Sequence, residues 1–154
     1  MAVNPLTPSE ASFWDLRRRG MGFAQIGRKT GVTRQAVYKA MLKADRAMAD
    51  AFADVAGTYR IDLKKVSTKM GMSRGYSHAL RSMVVLAYDP DRGITVWYDY
   101  AGNCKGCARR SECMSKILSE AERLGVTPPE EAEMMEPAEV AEEVLRKAWP
   151  EGFD

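Results

Sequence analysis

The sequence predicts an α+β fold: an N-terminal three-helix unit with helix-turn-helix spacing, a small antiparallel β unit with a cysteine site, and C-terminal helices. Three observations predict it. Capped, helix-periodic patterns fill residues 1–57, two β-rich apolar runs flank a turn signal at 89–93, and every cysteine falls between Cys104 and Cys113. The units accordingly span 1–57, 58–125 (the β unit, the cysteine site and the helix after it) and 126–154, an acidic helical tail.

Leu6-Thr7-Pro8-Ser9-Glu10 opens the first helix: Thr7 caps it, Pro8 takes the first helical position, and Glu10 reaches back as a capping-box carboxylate. This helix presents Phe13, Trp14 and Leu16 to a core and stops at Gly20. A second runs from about Phe23 to Thr30 with Ala24 and Ile26 inward, and Gly31 breaks it. Thr33 caps a third, which continues through Val37, Met41, Leu42 and Met48 to about Ala56, where Gly57 ends it. From Thr58 the period becomes two: Tyr59, Ile61 and Leu63 alternate with Arg60, Asp62 and Lys64, as in a strand with one wet face. Gly71 and Gly75 interrupt the next stretch, which reads as a short strand or a loop. Met83–Tyr88 and Ile94–Tyr98 pair as a hairpin around Asp89–Gly93, with Pro90 presetting the turn and Gly93 closing a four-residue loop. A helix over about Met114–Leu124 ends at Gly125, and Thr127-Pro128-Pro129-Glu130 is a further start signal. Pro137 begins a helix with Val140, Val144 and Leu145 on one side; the glutamates around it read as a solvated helix or partly ordered arm.

The 154 residues, 45% hydrophobic and 29% charged, have a globular composition that excludes wholesale disorder and a collagen-like fibre. No apolar run approaches the ~18 residues of a membrane helix, and the start lacks the layout of a signal peptide, so a cytoplasmic location without membrane contact is expected. Three cysteines are too few for a disulfide scaffold. The net charge of +2 hides an asymmetry: residues 1–81 carry +9 and residues 82–154 carry −7. A basic front half of this size points to an anionic partner, nucleic acid first.

Phe23–Tyr38 has the anatomy of a DNA-binding helix-turn-helix. Gly27 lets two helices cross closely, Gly31 makes the turn, and Val32 and Val37 pin the second helix to the first. Arg34, Gln35, Tyr38 and Lys39 lie around the exposed front of the third helix, with Lys43 one turn later. Arg34 and Gln35 suit bidentate contacts to guanine and adenine edges, while Arg28, Lys29, Lys39 and Lys43 suit phosphates. A plain three-helix bundle with a basic surface shares the glycine spacing but not its combination with this front.

Residues 7–44 resemble the Tfx-type archaeal transcriptional regulators, whose helix-turn-helix is similar to sigma-factor region four. The likeness lies in L-R-x-x-G at Leu16 and Gly20, and in I-G-x-x-x-G-V-T/S-R at Ile26, Gly27, Gly31, Val32, Thr33 and Arg34. It covers about the first third of the chain and implies promoter binding, with Thr33 to Lys39 as the reading face.

Cys104, Cys107 and Cys113 form a C-x2-C-x5-C group in which two thiolates can meet one metal or one cluster edge. Gly106 eases the tight backbone, and Lys105, Arg109 and Arg110 offset thiolate charge. Structural zinc takes four ligands and an iron–sulfur cluster commonly four cysteines. His78, the sole histidine, is a further candidate ligand, although a histidine in such a polar loop is ordinarily solvated. The spacing also resembles the local part of the iron–sulfur site in certain CRISPR-associated exonucleases, which implies a cluster; no remote cysteine or nuclease carboxylate set accompanies it. Iron–sulfur, zinc and no metal all stay open. The methionines read as core filler, and no catalytic triad, phosphate-binding glycine loop or paired carboxylate marks an enzyme. The expected function is a sequence-specific regulator on double-stranded promoter DNA, as a homodimer or alone, gated by metal or redox state. The alternative is an interaction module docking on transcription machinery through the helical unit and the acidic tail.

Overall fold

A computed structural model of the chain describes residues 4–99 and 106–154. In order these form α1 (Pro8–Arg18), α2 (Phe23–Thr30), α3 (Arg34–Tyr59), β1 (Ile61–Ser67), β2 (Met72–Ser77), β3 (Ser82–Asp89), β4 (Gly93–Tyr98), α4 (Arg110–Leu124) and α5 (Pro137–Ala148). The strands make one antiparallel meander, β1-β2-β3-β4.

Alternation along β3 divides the molecule into three layers. Val84, Leu86 and Tyr88 pack with Trp14, Ile26, Val37, Met41, Met48 and Phe52 in a core shared with α1–α3. Val85 and Ala87 point the other way, into a second core with Met114, Ile117, Val140, Val144, Leu145 and Trp149. The sheet is thus covered on both faces, and its central strands are almost continuously buried.

The first helix keeps its expected capping box, with Glu10 N donating to Thr7 Oγ1 at 3.2 Å and Thr7 N to Glu10 Oε1 at 2.9 Å. It runs only to Arg18, and Gly20 follows in the left-handed region. The third helix overruns its expected end: Gly57 lies inside it, and the left-handed exit falls on Arg60 (φ 55°). Phe52 and Ala56, buried on the sheet, hold this last stretch helical against the glycine's weak preference. Tyr59 therefore ends a helix rather than opening a strand.

The Gly71–Gly75 stretch, which reads as a short strand or a loop, is from Met72 onward part of a strand, β2. Gly75 is needed there because a Cβ would sit 2.7 Å from Ile61 Cγ2 and 2.8 Å from the Asp62 carbonyl, beside the register shift between Leu63 and Lys65. The expected β3–β4 hairpin forms with Gly93 at φ 78°, but Asp89 pairs with Gly93, so three residues rather than four bridge the strands. Thr127–Glu130 starts no α-helix; only a single 3-10 turn, Ala132–Met134, precedes α5. Nor is the acidic segment an arm. Val140, Ala141, Val144 and Leu145 bury one side of α5, and Glu139, Glu142 and Glu143 stay on the other. No helix among the described residues is long and apolar enough to cross a membrane.

Candidate nucleic-acid interface and cysteine stretch

The link between α2 and α3 is built by two glycines. Gly31 takes φ 77°, and the N–H groups of Gly31 and Val32 both donate to the Gly27 carbonyl, at 2.9 and 3.0 Å. At Gly27 itself a Cβ would stand 2.6 Å from the Val32 carbonyl oxygen, so the crossing excludes any side chain. Thr33 then caps α3, its hydroxyl accepting from Ala36 N at 3.0 Å. Thr33, expected on the reading face, thus spends its hydroxyl on the helix start.

Ile26, Val37 and Met41 seal the crossing from inside. Two expected anchors do not: Ala24 is exposed, and Val32 is 41% exposed. The turn is tight enough that Val37 alone of the two valines reaches the core.

On α3 Gln35, Lys39 and Lys43 stand on the side away from Val37, Met41 and Ala44, Tyr38 lies at its edge, and Arg34, in line with Met41, is the first residue of the helix; all five are exposed, as are Arg28 and Lys29 at the end of α2. Tyr38 leans on Phe23 at 6.0 Å between ring centroids. The sequence reading missed Leu42, 54% exposed within this face, and Arg46, exposed one turn beyond Lys43. A signal for the whole face was available: between Asp15 and Asp45 the chain has no carboxylate. None of the cations from Arg28 to Arg46 makes an ion pair among the described residues, whereas on α1 Arg17 is held bidentate by Asp45 (2.7 and 3.0 Å) and Arg19 by Asp15 (3.0 Å).

Of the cysteines, Cys104 lies outside the described residues, as does Lys105. Cys107 is exposed, and Cys113 is half-buried in the first turn of α4, which begins at Arg110 and not at Met114. Arg109 N donates to Cys107 Sγ at 3.4 Å. Both sulfurs line an open groove of about 810 Å³ beside Trp97, Tyr98, Arg109 and Lys116. Among the described residues no three metal-ligating side chains gather, and His78 stands exposed in the β2–β3 turn against Tyr76. Of the expected charge offset, the two described cations are engaged elsewhere: Arg109 pairs with Glu112, which with Lys116 on the same carboxyl holds it below its usual range, and Arg110 donates to the Met135 carbonyl at 2.9 Å.

A third cluster, not foreseen, joins α1 to α4. Arg18, stacked 4.8 Å over the Trp14 ring, donates to Asp15 (3.0 Å) and to the Arg123 carbonyl (3.2 Å) and stands 3.9 Å from Glu120. Arg123 reaches Asp91 and, at 3.5 Å, Asp89 in the β3–β4 turn. Burial, and then the neighbouring Asp89, push the Glu120 carboxyl up to about 7.

Comparison with known protein families, characterised proteins and solved structures gives no match to the chain.

Proposed function

We propose that the chain is a sequence-specific DNA-binding transcriptional regulator of the helix-turn-helix class, related to the Tfx-type regulators it resembles. One observation carries this reading. The exposed cations of α2 and the first half of α3 stand without carboxylate partners, around a helix front that offers Arg34, Gln35 and Tyr38. Elsewhere most of the cations are neutralised locally. Charge left unpaired on a rigid, glycine-built crossing suits a polyanion of fixed shape.

In this reading the first turns of α3 enter the major groove of promoter DNA, and Arg34 and Gln35 read base edges, each bidentate pair carrying about 1–3 kcal/mol of discrimination. Arg28, Lys29, Lys39 and Lys43 bind phosphates and set the register. Cys104, Cys107 and Cys113 are the residues that would hold an iron–sulfur cluster or zinc, and such a group would bias DNA affinity.

The exposed Val32, Tyr38 and Leu42 favour a second reading, docking on a protein of the transcription machinery. Salt separates the two. Four phosphate contacts give a log–log salt slope of about −4, whereas apolar docking strengthens or holds as salt rises. Against duplexes enriched from a random pool, Arg34→Ala with Gln35→Ala is expected to erase site preference and leave salt-sensitive non-specific binding. Site preference surviving the double substitution contradicts the assigned reading face.

A further inference from the structure

The β1–β2 turn, residues 68–71, does not project from a free end of the sheet; it is clamped onto the three-helix unit. The Trp14 indole N–H donates to the Thr68 carbonyl at 2.8 Å, and on the sheet side Tyr88 N of β3 donates to the Gly71 carbonyl at 2.7 Å. Gly71, at φ 67°, lies so close to the Trp14 ring that a Cβ would stand 2.4 Å from its Cζ2. Trp14 is fully buried, so the turn holds a fixed position relative to α1 and α2.

Lys69, within this turn, is exposed and makes no ion pair or hydrogen bond among the described residues. It differs in this from the other two lysines of the hairpin: Lys64 pairs with Asp62 at 2.6 Å, and Lys65 donates to the Glu151 carbonyl at 2.7 Å. Lys69 shares an open cleft of about 320 Å³ with Arg17 and with Gly20–Phe23, the loop that feeds α2. No carboxylate lines the cleft, and Arg17 is occupied by Asp45. A free ammonium held beside the loop into α2 extends the unpaired cationic face onto a part of the chain remote in sequence from it.

We propose that the β1–β2 turn is a further element of the DNA interface, in which Lys69 binds a backbone phosphate of the duplex engaged by α2 and α3. The inference rests on the DNA-binding reading of α2 and α3. A single ammonium on a phosphate adds affinity and fixes orientation, and reads no sequence.

The test is binding of the full chain to short duplexes across a salt series, with both random-sequence duplexes and those the wild type enriches. Lys69→Gln is expected to weaken binding several-fold and equally on both, and to make the salt slope shallower by about 1. Lys69→Arg keeps the charge and retains wild-type behaviour, and Lys64→Gln changes neither quantity. If Lys69→Gln matches the wild type while Lys29→Gln loses affinity and slope, the turn is outside the interface and the α2–α3 reading stands. If the wild type shows no salt-dependent binding to any duplex, both fall together.

Discussion

Glu120 sits where three carboxylates, its own with Asp15 and Asp89, meet the guanidiniums of Arg18 and Arg123 in a nearly water-free seam. Burial first, and then the neighbouring Asp89, disfavour the charged form of Glu120, and protonation of the carboxyl relieves both. Its folded value of about 7, against 4.5 for the free group, means that the stabilisation is complete below pH 4.5 and lost as pH rises through 7. A shift of this size corresponds to about 3 kcal/mol. The urea midpoint of the wild type is therefore expected to fall between about pH 5 and pH 8, and that of Glu120→Gln to stay nearly level. A midpoint that falls equally in the variant contradicts the assignment. Nothing in the local sequence announces this residue, since its partners arrive from α1 and from the β3–β4 turn.

The elements that sequence reading identified best are those whose signals are local. Thr7 and Glu10 cap one another within a single turn, and Gly31 and Gly93 take left-handed conformations that their neighbours require. Other elements depend on what they touch. Gly57 stays helical because Phe52 and Ala56 are pinned to the sheet, and Gly75 belongs to a strand because Ile61 crosses over it. The start of α4 was misplaced for the same reason: Met114 and Ile117 anchor it to the second core, and the helix extends back to include Cys113. Cys107, three residues ahead of α4, keeps its sulfur beside a backbone donor. Cys107→Ser purified without oxygen is expected to lose the iron or zinc that the wild type carries. Equal metal content in both contradicts a ligand role for Cys107.

At the scale of the molecule, the sheet is a shared floor. The three-helix layer covers one face, and α4 with α5 covers the other; of the +9 in the first 81 residues, +4 lies in residues 1–59 and +5 in residues 60–81, the first two strands and their turns, while the −7 of the rest falls within residues 110–154. This division was legible as arithmetic along the chain; the layering was not, because it depends on β3 sending alternate residues to different cores. Cys113 lies in the first turn of α4, and the seam to α1 lies two to three turns further along the same helix.

The most direct test of the proposed DNA binding is a genomic-fragment pull-down with the full chain, purified without oxygen and washed at near-physiological salt, followed by sequencing of the bound DNA. Discrete enrichment upstream of a small set of genes, lost in the Arg34→Ala, Gln35→Ala variant, is the predicted result. Recovery that is diffuse, or that is unchanged by the double substitution, contradicts a sequence-reading role for α3.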